Sequence, residues 1–264
     1  IHGAIPYYFA KYFNPESPNL KYYKYIKNNG YKRHIYEFRH EYDNKIVDIQ
    51  KDDVKDLYYI IHTNNKRLYF RRGLLPEKMK GMYKALMMEQ DIRSPHHYFD
   101  NFDEVKNCVF VDIGSAEGFS SLEVIENATH IYLFEQDPKW IEALEATFEP
   151  WKDKITIVRK YVSDYDDENH QTLDTFFKDQ SKENLFLKMD IEGDERKALN
   201  GCKELFSSAK NLNFAISSYH MEDDEKVIST FLDRYNCTYL NRRGYFRHKY
   251  RSVVIRGEKN SSFA

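Results

Sequence analysis

The sequence predicts an α/β fold, in which an N-terminal α+β appendage precedes a mostly parallel sheet with a late antiparallel strand. From about residue 105, short apolar runs alternate with amphipathic stretches of helical period, which is typical of a parallel sheet covered by helices on both faces. The last two apolar runs are joined without a helix, which indicates a terminal hairpin and hence the antiparallel strand. Before residue 105, strand-like pieces alternate with turn signals.

Composition supports this division of the chain. Of its 264 residues, 41% are hydrophobic and 16% are aromatic, which excludes global disorder and low-complexity classes. The first 100 residues carry a net charge of +6 and 14 of the 22 Tyr, whereas the remainder carries −8. We predict an accessory or acceptor-binding segment over residues 1–104, a ligand-binding domain over 105–257 and a tail over 258–264.

The basic, Tyr-rich N-terminal segment allows two interpretations. It can face a sugar, an anionic head group or a nucleic acid, or it can be an appendage that packs its rings on the main domain, which we favour. A charge of +6 over 100 residues is far below that of a dedicated nucleic-acid binder, so we predict no nucleic-acid partner. No apolar run approaches the roughly 20 residues that cross a bilayer, so we predict no membrane span.

The cysteines and the first residues bear on location. Cys108, Cys202 and Cys237 are odd in number and form no CxxC pair, so the sequence predicts a reducing, cytoplasmic setting. Residues 1–10 have neither an initiator Met nor a basic stretch ahead of an apolar core, and we interpret them as the start of a trimmed chain rather than a signal peptide. The oligomeric state is not predicted.

The appendage is predicted to contain four strands and a helix. Residues 57–62 and 67–70 flank a Thr-Asn-Asn-Lys turn, which indicates a hairpin because Asn tolerates positive φ. A helix is predicted over 76–90, where Pro76 suits the first turn and an apolar stripe has helical spacing. The other predicted strands are 31–40 and 45–50.

In the second part, strands and helices are predicted in alternation. The strands are 108–113, 131–134, 155–162, 185–189 and 212–216, and the helices are 119–127, 138–148, 172–179, 194–207 and 223–235. The closing hairpin consists of strands 237–240 and 251–255.

The strongest local signal is the run Val-Asp-Ile-Gly-Ser-Ala-Glu-Gly at residues 111–118, after the first strand of this part. Gly114 and Gly118, with Ser115 between them, allow the backbone to turn tightly and to approach a ligand. A pyrophosphate loop requires G-x-G-x-x-G, whereas Asp112 ahead of these glycines would repel a pyrophosphate and accept the ammonium of a methionine-like group. The loop favours S-adenosylmethionine over NAD and disfavours a dehydrogenase; an ordinary tight turn is the alternative.

Two further strand ends are predicted to complete the cofactor site. Glu135 follows Asp112 by 23 residues and ends the second strand, where an acid can accept both ribose hydroxyls of an adenosyl group. Ser163 and Asp164 follow the third strand, where the adenine edge would lie. A surface acid is the alternative for Glu135 considered alone.

The fourth strand ends in Leu-Lys-Met-Asp-Ile-Glu-Gly-Asp-Glu, residues 187–195. Asp190 and Glu192 reach the same rim, where two acids can serve as a base, a substrate clamp or metal ligands. His220 follows the next strand and would lie across the same cleft; the alternative is a histidine whose hydrogen bonds are satisfied within the fold.

The motifs VDIGSAEGFSSL, FEQDP, TLDTF and LKMDIEGDERKAL, in this order and spacing, resemble the FkbM-type methyltransferases over residues 105–240. The resemblance implies a Rossmann-like class I methyltransferase sheet, S-adenosylmethionine as cofactor, and O-methylation of sugars or polyketide-like products. The implied cofactor residues are Asp112, Gly114, Gly118, Glu135 and Asp190, and the implied transfer residues are Asp190, Glu192 and His220. Ala116-Glu117 departs from the usual loop and leaves Glu117 without an assigned role, and residues 94–98 are expected to recur in related proteins of surface-glycan clusters.

The predicted reaction is methyl transfer to a hydroxyl oxygen of a small-molecule or glycan acceptor. A sugar hydroxyl is a poor nucleophile at neutral pH, so we predict His220 as general base, with Asp190 and Glu192 positioning the acceptor. Mg²⁺ held by Asp190, Glu192 and Asp164 is an alternative, but no tight ligand spacing demands it, and no metal is predicted.

Other acceptors and a non-catalytic function are left open by the sequence, whereas a 2′-O-ribose methyltransferase is disfavoured. The acceptor atom can be a nitrogen or belong to a non-sugar molecule, and the domain can be a non-catalytic module that has kept its cofactor cleft. A 2′-O-ribose methyltransferase would need a Lys-Asp-Lys-Glu set, of which only Lys188 and Asp190 can be assembled.

Overall fold

The computed structural model describes residues 4–260 of the chain. Within them, the first part forms helices and a small antiparallel sheet: α1 Ala4–Phe13, α2 Leu20–Asn29, α3 Arg39–Asp43, β1 Ile49–Asp52, β2 Leu57–Ile61, β3 Arg67–Tyr69 and α4 Pro76–Glu89. The second part alternates strands with helices: β4 Val109–Ile113, α5 Phe119–Val124, β5 His130–Phe134, α6 Pro138–Phe148, β6 Ile155–Val158, β7 Tyr161–Val162, β8 His170–Gln171, α7 Leu173–Phe176, β9 Asn184–Met189, α8 Glu195–Asn200, α9 Lys203–Ser208, β10 Asn211–Ser217, α10 Asp224–Arg234, β11 Thr238–Phe246 and β12 Lys249–Asn260.

The main sheet of the described residues has the spatial order β11-β12-β10-β9-β4-β5-β6. Neighbouring strands from β10 through β6 are parallel, while β12 runs antiparallel to both β10 and β11. The predicted fold class, a mostly parallel sheet with a late antiparallel strand, is confirmed. The chain order reverses between β4 and β9, so the carboxyl ends of these two strands form the switch point at which α/β sheets bind ligands.

Local sequence explains the elements that border this switch point. In β9, the side chains from Leu185 to Met189 are all buried, because helices cover both faces of the sheet. Helix α6 begins at Pro138, whose missing N–H is not needed in the first turn, and the side chain of Asp137 caps it by accepting the N–H of Lys139. Helix α6 therefore begins shortly after β5 ends, at the carboxyl edge of the sheet.

The N-terminal segment packs on the main domain. Phe70 and Met79 belong to the same buried cluster as Phe110 and Leu122 of the sheet and its first helix. The predicted hairpin is confirmed, since β2 and β3 pair antiparallel and Asn64 in the turn has a φ of 56°. The predicted helix over 76–90 is also confirmed.

Other expectations for this segment were wrong. Residues 31–40 form no strand: three consecutive side chains, His34, Ile35 and Tyr36, are all buried, which an alternating strand on a half-solvated sheet does not allow. Helices α1 and α2 were not predicted. The strand expected over 45–50 begins only at Ile49.

Several boundaries in the second part also differ. The helices predicted over 119–127 and 172–179 are shorter, at Phe119–Val124 and Leu173–Phe176. The helix expected over 194–207 splits into α8 and α9 at Gly201, where a Cβ would lie 2.0 Å from the carbonyl oxygen of Ser163. The strand expected over 155–162 splits into β6 and β7. Strand β12 continues to Asn260, so residues 258–260 of the expected tail are strand, and the rest of that tail lies outside the described residues.

Two general features complete the description. Among residues 4–260, none of the helices combines the length and the apolar character that crossing a bilayer requires. Cys108, Cys202 and Cys237 are all free thiols.

Candidate functional site

A cleft of about 590 Å³ opens at the carboxyl ends of β4, β5 and β9. Its walls come from both parts of the chain. The sheet side contributes Gly114, Ser115, Glu117, Glu135, Lys188, Asp190, Glu192 and Tyr219, and the N-terminal side contributes Arg33, Met82, Leu86, Glu89, Gln90 and Tyr98. The volume lies within the roughly 300–1,000 Å³ of ordinary ligand pockets.

The glycines of the loop after β4 are required by neighbouring protein atoms. A Cβ on Gly114 would lie 2.1 Å from the carbonyl oxygen of Asp190, and one on Gly118 would lie 2.7 Å from side-chain atoms of Leu144 and Phe148. Both residues have a φ of 80°, a left-handed conformation that glycine adopts without strain. From the sequence, these glycines are expected to allow a tight turn and the approach of a ligand. The positive φ values agree with the turn, and packing against β9 and α6 is the further reason that the structure gives.

Asp112 lies behind the cleft wall, 1% exposed. Its Oδ1 is 2.8 Å from Nζ of Lys188, and its Oδ2 accepts a hydrogen bond of 2.6 Å from the hydroxyl of Ser121. Lys188 also donates to the carbonyl oxygen of Gly114 at 2.8 Å and reaches the cleft. Burial opposes the charge of Lys188, but the carboxylates of Asp112 and Asp190 outweigh it and raise its pKa. The ammonium partner of Asp112 in this structure is therefore Lys188.

Glu135 ties the two cofactor-side loops together. Its Oε2 accepts the N–H of Ala116 at 3.0 Å, and its Oε1 accepts the N–H groups of Gln136 and Asp137, each at 2.8 Å. The carboxylate lines the cleft as the sequence predicts. Ser115, which also lines the cleft, fixes the same loop by donating its hydroxyl to the carbonyl oxygen of Asp112 at 2.9 Å.

The residues predicted at the adenine edge lie differently. Ser163 is buried next to Gly201, and Asp164 is exposed beyond it. Neither lines the cleft, whose wall at this end is formed by Lys160, Tyr161 and Val162. The third strand ends at Val158, so the residues that follow it at the cleft are 160–162 and not the predicted pair.

Asp190, at the end of β9, accepts hydrogen bonds from hydroxyl groups of both parts of the chain. Its Oδ2 accepts the hydroxyl of Tyr98 at 2.7 Å, and its Oδ1 lies 3.3 Å from the hydroxyl of Tyr219. Burial, and then the charge of Asp190, raise the pKa of both tyrosines, so both are neutral donors. The structure thus presents Asp190 to the cleft among hydroxyl donors.

His220 is brought together with Asp190 and Glu192, as the sequence predicts. Its Nε2 lies 3.5 Å from Oδ1 of Asp190 and 3.5 Å from Oε2 of Glu192, and its side chain is 3% exposed. Its Nδ1 lies 2.9 Å from Oε1 of Glu195, a fully buried carboxylate that the sequence argument did not single out. Burial disfavours the charged ring, but the hydrogen bond with Glu195 and the other acids outweigh it and raise the pKa of His220.

Glu117 is a second residue whose place the sequence did not give. It lines the cleft with only 7% of its surface exposed, and burial raises its pKa to about 7. A buried carboxyl beside a charged lysine, Lys188, is a group that can gain or lose a proton near neutral pH.

Residues 94–98 hold the N-terminal wall in place. The hydroxyl of Ser94 donates to that of Tyr36 at 3.2 Å, Tyr36 hydrogen-bonds Nδ1 of His96, and the N–H of Tyr98 donates to Gln90 at 3.0 Å. Burial lowers the pKa of His96 to about 4, so the ring is a neutral hydrogen-bonding group. This network positions Tyr98 on Asp190.

A known protein family matches the second part of the chain. The family described as Methyltransferase FkbM domain matches residues 113–246, just over half of the chain. The chain is similar to the structure of a methyltransferase FkbM from Methylobacillus flagellatus KT, with 18% identity, a TM-score of 0.47 and coverage of 70% of this chain; it spans 56% of that protein. No curated protein matches the chain.

Two further solved structures are similar. The precorrin-6y C5,15-methyltransferase from Geobacter metallireducens GS-15 has 12% identity and a TM-score of 0.40, over 61% of this chain and 85% of that one. A candidate methyltransferase from Streptococcus mutans, determined in complex with SAH, has 11% identity and a TM-score of 0.44, over 60% of this chain and 94% of that one.

Proposed function

The chain belongs to the FkbM methyltransferase family, and from that premise we propose that it transfers a methyl group from S-adenosylmethionine to a hydroxyl oxygen of a sugar. The family confirms the predicted methyltransferase and S-adenosylmethionine as its cofactor. The hydroxyl oxygen, and an acceptor sugar that belongs to a surface glycan or a related natural product, are the proposed part. The predicted cytoplasmic setting and the absence of a nucleic-acid partner stay predictions.

The cleft suits a cofactor that carries positive charge. Glu117, Glu135 and Asp190 line it with carboxyl groups, and the bound cofactor supplies an electrophilic methyl group on a sulfonium. We place the ribose hydroxyls on Glu135, whose oxygens are already oriented by three backbone N–H groups. We assign the adenine edge to Tyr161 and Val162 in place of Ser163 and Asp164.

One observation carries the choice of a hydroxyl acceptor: Asp190 accepts hydrogen bonds from the hydroxyl groups of Tyr98 and Tyr219 at the edge of the cleft. A carboxylate held in this way can accept a further hydroxyl and orient its oxygen toward the methyl group. The N-terminal wall combines apolar Met82 and Leu86 with polar side chains, which suits the mixed faces of a sugar ring.

The geometry divides the proposed roles among the three predicted transfer residues. Asp190 lies on the cleft wall and contacts the acceptor, and Glu192 lines the exposed rim. His220 lies behind Asp190, with a carboxylate on each side of its ring. The neighbouring acids raise the pKa of His220, and the ring does not line the cleft, so a positioning role suits it better than the predicted role of general base.

The test is incubation of the full chain with S-adenosylmethionine labelled in its methyl group and fractionated glycan and glycolipid pools. We expect the label in a sugar fraction as an alkali-stable ether, and loss of that label in Asp190→Asn. A label on an amine would overturn the proposal of a hydroxyl acceptor. A label that alkali releases, as it releases the methyl group of an ester, would overturn it as well. Binding of the cofactor without transfer to any pool would favour the non-catalytic module.

A further inference from the structure

We propose that Asp190, Glu192 and Nε2 of His220 form a binding site for a divalent cation at the acceptor side of the cleft, with Glu195 orienting the ring. The use of this cation in methyl transfer rests on the proposed function. The existence of the site does not, because it depends only on the side chains that the fold brings together.

The first argument is the spacing around His220. Its Nε2 lies 3.5 Å from a carboxylate oxygen of Asp190 and 3.5 Å from one of Glu192. Ligands about 2.0–2.3 Å from a divalent ion lie roughly 3.0–3.5 Å from one another in octahedral or tetrahedral geometry. Each of these two distances is therefore typical of two ligands of a shared ion and is longer than that of a short hydrogen bond.

The second argument is that this nitrogen is buried and unsatisfied. The side chain of His220 is 97% buried, and among residues 4–260 neither ring nitrogen makes a hydrogen bond of good geometry; Nδ1 still has Glu195 at 2.9 Å, whereas the acids that Nε2 faces lie at 3.5 Å. A buried nitrogen in that state costs free energy unless a ligand satisfies it. It points toward Asp190 and Glu192, so a cation between the three side chains would satisfy it.

The third argument is the role of Glu195. Metal-binding histidines characteristically donate their other ring N–H to a carboxylate, which fixes the ring and its tautomer. Here Nδ1 lies 2.9 Å from Oε1 of Glu195, and the same oxygen accepts the N–H of Ile191 at 2.9 Å. Suitable ligand atoms of Asp190, Glu195 and His220 all lie within 4.8 Å of one another. Glu195 thus presents Nε2 to the two rim acids.

The fourth argument is charge. Asp190, Glu192 and Glu195 place three carboxylates around one imidazole. Two of the basic side chains nearby have other carboxylate partners: Lys188 pairs with Asp112, and the guanidinium of Arg196 pairs with Asp223 and Asp224. The hydroxyl groups on Asp190 are neutral, so a divalent cation would balance the surplus negative charge.

The ligand set indicates the class of ion. Two carboxylates and one imidazole, on a rim where the Glu192 side chain is 85% exposed, leave positions for water or an acceptor oxygen. Mn²⁺ accepts such a mixed set of ligands and is observable by its magnetic resonance signal. Asp164, which the sequence offered as a ligand in place of His220, is not in this cluster.

The test is titration of the full chain with MnCl₂, followed by electron paramagnetic resonance of the free ion. We expect about one Mn²⁺ per chain. Glu192→Gln should weaken Mn²⁺ binding at least about tenfold, and its exposed position means that folding does not depend on it. His220→Ala should weaken it by about 100-fold, and Glu195→Ala by about 10–100-fold, the usual effect of losing such a support.

Two controls separate a ligand role from a structural one. Asp164→Asn removes an exposed acid outside the cluster and should leave Mn²⁺ affinity unchanged. Glu195→Gln keeps an oxygen that can accept Nδ1–H and should retain more affinity than Glu195→Ala. Absence of Mn²⁺ binding at millimolar concentration, or equal binding by the wild type and Glu192→Gln, would overturn the site. Calorimetry with S-adenosylhomocysteine in the presence of a chelator tests the cofactor cleft separately.

Discussion

The hydroxyl of Tyr98 lies 2.7 Å from Oδ2 of Asp190, although 92 residues separate them in the chain. This hydrogen bond joins the N-terminal segment to the end of the central strand β9. It gives that segment a place in the candidate site and not only a packing role. The residues on either side of Tyr98 are held by their own buried hydrogen bonds, so the position of its ring is well determined.

The first prediction concerns this contact. Tyr98→Phe removes the hydroxyl and keeps the ring, so packing is preserved while Asp190 loses a donor. A hydrogen bond to a charged group contributes about 1.5–3 kcal/mol. We expect kcat/KM for the glycan acceptor to fall about 10–100-fold, with the affinity for S-adenosylhomocysteine changed less than about threefold. Steady-state kinetics test this with Tyr12→Phe as the control, an exposed ring outside the cleft. Equal behaviour of the two variants would contradict the prediction.

The second prediction concerns Gly118. An alanine there has to adopt a φ of 80° and to place its Cβ 2.7 Å from Leu144 and Phe148. Gly73 is the matched control, because it has the same φ and nothing within 4 Å of an added Cβ. Overpacking costs about 1–3 kcal/mol. We expect Gly118→Ala to lower the free energy of unfolding by about that much more than Gly73→Ala in urea titrations, and equal losses would show that packing on α6 is not the reason.

The sequence predicts those features of the fold that are caused by residues close together in the chain. The apolar runs of β4 and β9 predict strands because both faces of the sheet are covered, and the loop at Gly114 follows from its turn residues. The pair between Asp112 and Lys188 was missed because it joins two strands that lie in register only in the folded sheet. Burial of Glu195 is likewise a tertiary property that spacing does not reveal.

The N-terminal segment was predicted less well for a related reason. Its many tyrosines have high strand propensity, yet residues 20–29 form a helix. His34 and its two neighbours are buried by packing rather than by an alternating pattern; Ile35, for example, packs with Tyr245 of the C-terminal hairpin. Strand propensity does not reflect contacts with a strand that lies some 200 residues later in the chain.

The third prediction concerns pH. Burial raises the pKa of Glu117 from an ordinary value of 4.5 to about 7, so the folded state binds a proton that the unfolded state releases between these values. The free energy of unfolding should therefore fall as pH rises from about 4.5 to 7, by up to about 3 kcal/mol. Glu117→Gln removes this titration.

Thermal and urea unfolding of the wild type and of Glu117→Gln at pH 5 and pH 8 measure the effect. We expect the variant to lose less stability than the wild type between the two pH values. Glu168→Gln, on an exposed loop, controls for the loss of one negative charge. A pH dependence of Glu117→Gln identical to that of the wild type would assign the titration to another group.

The most direct measurement of the central claim is calorimetric titration of S-adenosylhomocysteine into the wild type and into Glu135→Ala. Glu135 lies where we propose that the ribose hydroxyls bind, and loss of hydrogen bonds to a charged group weakens binding by about 1–3 kcal/mol. We expect one molecule bound per chain and an affinity about 5–150-fold weaker in Glu135→Ala, with the variant still folded by circular dichroism. Absence of binding to the folded wild type, or an equal affinity in the variant, would contradict it.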